Sequence, residues 1–149
     1  MKTISTFAVI VVLILSTGFR SEERGSLKIT LSNIKKLGKI TVAVYRNGEG
    51  FPDNKFLVTK KAVEGAKDKC ELQFEAMPFG SYAVAIFQDT NGNGELDKGM
   101  FGIPSEPFAF SNNFRPKFGG PSYEKCKFDF NKDDQVIQIE MINSLFGGD

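Results

Sequence analysis

The stretch that most constrains this chain is Gly80 to Asp97, Gly-Ser-Tyr-Ala-Val-Ala-Ile-Phe-Gln-Asp-Thr-Asn-Gly-Asn-Gly-Glu-Leu-Asp. Its first half, Ser81 to Gln88, reads as a strand. Tyr82, Val84 and Ile86 point one way, and Ala83, Ala85 and Phe87 the other. A strand alternates its side chains between two faces, so apolar residues at every position predict burial on both, as in a central strand. The second half turns abruptly polar: Asp89, Asn91, Asn93 and Asp97 recur with Gly92 and Gly94 between them. A stiff strand therefore delivers a cluster of oxygen-bearing side chains to its own end.

The flanking sequence is patterned for strands too. Leu27, Ile29 and Leu31 alternate with polar residues, and so do Ile40, Val42 and Val44. These two runs predict an antiparallel pair with one solvated face. Phe56 to Val63 is Lys-rich and suits a sheet edge. Cys70 to Ala76 alternates cleanly, and Met77-Pro78-Phe79-Gly80 supplies turn chemistry before the central strand. Tyr123 to Phe130 and Gln135 to Met141 read as two closing strands, while residues 89 to about 122 hold no regular element. The expectation is all-β: a two-sheet β-sandwich of about seven antiparallel strands with one long irregular loop. At 149 residues the chain has room for one domain, placed at 25–143, with 144–149 as a flexible tail.

The N-terminus carries an address. Lys2 precedes an unbroken apolar run, Phe7 to Leu15, followed by the small residues Ser16, Thr17 and Gly18. This is the pattern of a signal peptide over residues 1–18, cleaved at about 18–22, and too short for a spanning helix of about 20 residues. The protein is therefore expected to be exported, periplasmic or secreted, with no membrane insertion after cleavage. The partner is left open by the sequence, with an envelope or extracellular protein or a glycan as the candidate class. A net charge of +1 supplies no broad basic field for nucleic acid. Export also permits a disulfide between Cys70 and Cys126, each read on the apolar face of its strand; pairing would stabilise by about 4 kcal/mol. Two separate buried thiols are the alternative.

Set against an EF-hand calcium loop, Asp89, Asn91 and Asn93 fall at its first, third and fifth positions. Gly94 falls at the turn, Glu95 offers a backbone carbonyl, and Asp97 follows. Calcium takes six to eight oxygens, and alternate residues of a tight loop aim several at one centre. The departure is Met100, where a bidentate Glu is expected; Glu106 and Asp53 are candidates for the missing carboxylate. Two alternatives stand beside calcium: a plain Asn-Gly reversal, and a loop held by Asx-type hydrogen bonds with no ion. Further on, Phe101, Phe108, Phe110, Phe114, Phe118 and Tyr123 punctuate a Pro-rich stretch. Phe108, Phe110, Asn112, Asn113 and Arg115 could line a carbohydrate or peptide site. The plainer reading, which we favour, has these rings pinning the loop onto the sandwich.

The chain has no His, no phosphate-binding Gly loop and no Ser nucleophile elbow. A catalytic site is therefore not expected, and a carboxylate-based hydrolase is the least favoured class. Gly80 to Asp97, with Gly102-Ile-Pro-Ser-Glu-Pro-Phe-Ala-Phe-Ser-Asn-Asn113 and Phe118 to Tyr123, resembles the signature of an exported bacterial family, domain of unknown function 2141. The resemblance implies a single β-sandwich of immunoglobulin-like or transthyretin-like type and no activity. The turn at Pro78 to Tyr82 is also similar to carboxypeptidase-regulatory and prealbumin-like modules, which are mostly binding or structural. Transthyretin-like hydrolases need His residues that this chain lacks.

Overall fold

A computed structural model describes residues 22–146 except 49, 66 and 118. The expected signal peptide at 1–18, Phe118, and residues 147–149 of the expected tail lie outside the described residues. The described residues include eight strands: β1 (Arg24–Ile34), β2 (Gly38–Tyr45), β3 (Leu57–Gly65), β4 (Asp68–Pro78), β5 (Gly80–Asp89), β6 (Phe108–Phe110), β7 (Phe128–Phe130) and β8 (Gln135–Glu140). They make two sheets, one ordered β4-β1-β8, the other β3-β2-β5-β6 with β7 also paired to β5. The all-β sandwich stands.

The two sheets close on one core. Leu27, Ile29 and Leu31 of β1, Leu72 and Phe74 of β4 and Ile139 of β8 face Ile40, Val42 and Val44 of β2 and Tyr82, Val84 and Ile86 of β5. This is the alternation read from the sequence, and β5 is central as expected, paired on both edges. β3 is an edge strand, its lysines blunting further pairing.

β1 and β2 do not pair with each other. β1 lies between β4 (antiparallel) and β8 (parallel), while β2 lies between β3 and β5. Alternation says which face of a strand is buried but not which sheet it joins. Here the short link Lys35–Leu37 carries the chain across the core, so the two apolar faces meet instead of lying side by side. Gly38 makes the crossing possible: its φ is +140°, and a Cβ there would stand 2.3 Å from the Asp89 carbonyl oxygen.

A second apolar cluster covers the other face of the larger sheet. Tyr45, Phe51, Ala83, Phe108, Phe110, Tyr123, Cys126 and Ile142 form it, with Phe114 packed alongside. The long loop is thus partly ordered by β6, and its rings pack onto the sheet, edge to face at Phe51–Phe110 and Phe108–Phe110. Along β5, β6 pairs with Ala85 to Phe87 and β7 with Gly80 to Tyr82. Ser111 fills the gap between them: its buried hydroxyl accepts the Val84 N–H (2.8 Å) and donates to the Cys126 carbonyl (2.5 Å). On the smaller sheet, Asn113 acts as a one-residue strand beside β8, accepting from Glu140 N–H (2.8 Å) and donating to the Gln138 carbonyl (3.5 Å).

The closing segment differs from its expectation. Tyr123–Cys126 is a short helix, α1, and only Phe128–Phe130 is strand. That turn of helix rotates Cys126 out of phase with Phe128 and Phe130. Cys70 packs against the inter-sheet core, whereas Cys126 lies in the outer cluster. With the larger sheet between them, both cysteines are free thiols, and the expected disulfide is not formed.

Candidate functional site

β5 runs out of the core directly into the acidic loop, so a rigid strand sets the loop's position. Asp89 is 5% exposed, and its carboxylate closes the loop on itself. Oδ1 accepts the Gly92 N–H (2.6 Å) and Oδ2 the Gly94 N–H (2.8 Å). Gly92 and Gly94 have φ values of +80° and +84°, the left-handed region that lets both amides turn inward. Burial works to raise the Asp89 pKa, but the N–H groups of Gly94, Gly92, Asn93 and Asn91 outweigh it and hold the carboxyl below its ordinary value.

The amides repeat one motif. Asn91 Oδ1 accepts the Asn93 N–H (3.0 Å), and Asn93 Oδ1 accepts the Glu95 N–H (2.9 Å). Their Nδ2 groups both donate to Asp97, at 2.5 Å to Oδ2 and 3.0 Å to Oδ1 respectively. Glu106 is the second buried anchor: it accepts from Thr90 N–H (2.7 Å), Thr90 Oγ1 (3.0 Å) and Asp97 N–H (3.1 Å). Of the two carboxylates considered for the calcium loop, Glu106 is therefore at the loop. Asp53 lies near Tyr45, at the far end of β2, about 20 Å along the strand. Among the described residues, no three acidic, His or Cys side chains converge as a metal-binding group. A cation here would depend on amide and backbone oxygens as well as Asp89 and Asp97.

The aromatic-loop residues divide. Phe108 and Phe110 bury their rings in the outer cluster, at 3% and 8% exposure. Asn112 donates to the Lys127 carbonyl (2.6 Å), Asn113 caps β8, and Arg115 donates to the Ser144 carbonyl (3.4 Å). Each polar side chain here is engaged with backbone. By contrast, Met100 and Phe101 stand at 79% and 92% exposure on the tip between Lys98 and Pro104, whose backbones pair as a bridge.

Loop and cluster leave a groove between them that sequence reading missed. It occupies about 960 Å³ on the outer face of the larger sheet, over Thr41, Ala43, Ala62 and Ala85. Asp89, Thr90, Glu95 and Leu96 of the loop and Pro104 line one side, Phe108, Phe110 and Tyr45 another, and Lys60 reaches it from β3. The groove exists because cross-strand neighbours Ala43 and Ala85 are both small while the residues around them are large. Two alanines at outward-facing positions of adjacent strands were the signal available in the sequence.

Fold and site together define a β-sandwich with a cleft beside an acidic loop. The chain belongs to the family DUF2141, an uncharacterised protein conserved in bacteria, whose model matches residues 29–138. No curated protein matches the chain, and neither does any solved structure.

Proposed function

We propose that this protein is an exported, non-enzymatic binding module that takes its ligand in the groove on the outer face of the larger sheet. The observation that carries the reading is the groove itself, about 960 Å³ in volume over a floor of small side chains. Ligand sites are concave, largely apolar and rimmed by a few polar groups, and this one has alanines below, aromatic rings on one side and loop oxygens on the other. The exposed Met100 and Phe101 at the end of the loop wall favour a polymeric ligand, a glycan chain or an extended peptide, that continues past the groove. Export rests on the leader sequence.

Arrays of immobilised glycans and peptides test this, with Ala85→Trp to fill the floor and Phe101→Ser to remove the tip. Ala85→Trp abolishes capture and Phe101→Ser weakens it, both with little change in melting temperature. Capture that survives Ala85→Trp overturns the groove as the site.

Calcium is the second element of the reading, as a tie for the groove's wall. It is favoured by the low-pKa Asp89 and by Asp97, which meets both Asn side chains. An ion would replace the Asn Nδ2 donors at Asp97 and turn the amide oxygens inward. Calcium at a hundredfold over its dissociation constant should stabilise the protein by about 2.7 kcal/mol. Melts in chelator and in calcium read this directly. Equal melts, or a shift that persists in Asp89→Asn with Asp97→Asn, remove the ion from the reading.

A further inference from the structure

The chain contains three Asn-Gly steps: Asn47–Gly48, Asn91–Gly92 and Asn93–Gly94. Asn-Gly is the sequence most open to spontaneous ring closure, because glycine offers no side chain to hinder its own nitrogen. The Gly nitrogen attacks the Asn Cγ, an N–Cγ bond forms, and the Cγ–Nδ2 bond breaks. The Gly N–H proton is lost and ammonia leaves. Water then opens the succinimide at either carbonyl to give Asp or isoaspartate, with no oxidant or reductant involved.

We propose that Asp89 and Asp97 form a two-carboxylate clamp that protects the loop's two Asn-Gly steps, leaving Asn47 as the chain's principal site of spontaneous deamidation. In the loop every reacting group is held. The attacking nitrogens, Gly92 N and Gly94 N, donate to Asp89 at 2.6 and 2.8 Å. A carboxylate accepting that N–H keeps the proton on the nitrogen and the nitrogen aimed away from Cγ. The leaving groups, Asn91 Nδ2 and Asn93 Nδ2, donate to Asp97. The side-chain carbonyls are turned forward onto the N–H groups of Asn93 and Glu95.

Asn47 is arranged the opposite way. Here the Gly48 N–H donates to the Oδ1 of the exposed Asn47 itself, at 2.7 Å, so the hydrogen bond keeps the attacking nitrogen beside the amide it attacks instead of drawing it onto a separate carboxylate. The same dipeptide thus occurs twice clamped and once poised within one molecule. The proposal does not depend on the cation reading.

The test is peptide mapping by mass spectrometry of the purified protein, incubated in chelator at neutral pH and physiological temperature. It follows the mass gain of exchanging NH₂ for OH at each step. In the native protein Asn47 converts first, and Asn91 and Asn93 lag by about tenfold or more, the rate equivalent of one charge-assisted hydrogen bond. In denaturant the three rates converge, which shows that structure rather than sequence separates them. Asp89→Ala brings Asn91 and Asn93 up toward the Asn47 rate; Asp97→Ala does so in part and serves if Asp89→Ala fails to fold. Equal native rates at the three steps overturn the clamp, as do loop steps that stay slow in a folded Asp89→Ala chain.

Discussion

The larger sheet is packed on both faces, and its two clusters have different origins. The inner one is built from strands: alternating Leu, Ile and Val on β1, β2 and β8 meet Tyr82, Val84 and Ile86 of β5. The outer one gathers residues from irregular and distant segments, Phe51 before β3, Phe108 and Phe110 on a three-residue strand, Tyr123 and Cys126 on one turn of helix. The inner cluster therefore specifies the fold, while the outer cluster fastens the long loop to it. A β-sandwich can extend its surface this way without adding a sheet.

Three perturbations act differently on the two clusters. The largest effect belongs to the inner core: Phe74→Ala should cost about 5 kcal/mol in urea melts, against about 3 kcal/mol for Phe110→Ala, whose loop-built surroundings can collapse into the gap. Hydrogen exchange should show Phe110→Ala opening residues 104–126 below the global unfolding free energy. Equal costs and one cooperative opening would mean that the two clusters form a single unit. Next comes Ser111→Ala, which leaves the Val84 N–H buried and unpaired at the seam between β6 and β7 and should cost about 1–3 kcal/mol. A loss near zero would mean that water takes the hydroxyl's place.

The smallest effect is at the thiols. Burial pushes Cys126 up to about 11 and raises Cys70 as well, with the neighbouring Glu71 adding to it. The unfolded chain ionises near 8.5, so between there and about 11 the unfolded state binds fewer protons at Cys126 than the folded state does. The sign follows: this contribution to stability is intact below the unfolded value and declines as pH rises through that window. Cys126→Ser should flatten that decline. Thiol counting in denaturant without reductant should find two free groups, both slow to react in the native protein.

What the sequence makes legible is local. The two-faced pattern of Ser81 to Gln88 identifies the central strand, and Asn-Gly chemistry marks the loop that follows it. What it leaves out depends on where the chain crosses. Leu31 and Ile40 are each read onto a buried face, but only the arch at Gly38 shows that they lie in opposite sheets. Cys126 is misread because a single helical turn shifts its phase against Phe128. The groove is invisible for a related reason: an Ala at 43 and an Ala at 85 mean little until register sets them side by side. Glu106 is nine positions beyond Asp97, and its buried hold on the loop comes from tertiary packing, which no spacing rule contains.

Asn113 has a consequence for life at high concentration. Strand β8 borders the smaller sheet, and its Glu140 N–H and Gln138 carbonyl are occupied by one amide side chain instead of a neighbouring strand. Gln138 and Glu140 are exposed residues, so removing that amide should cost the fold little, but it hands a length of unpaired backbone to any other chain that drifts alongside. Light scattering of concentrated Asn113→Ala protein reads that directly. The residue guards the solution state more than the molecule: a single side chain stands where an intermolecular sheet would otherwise begin.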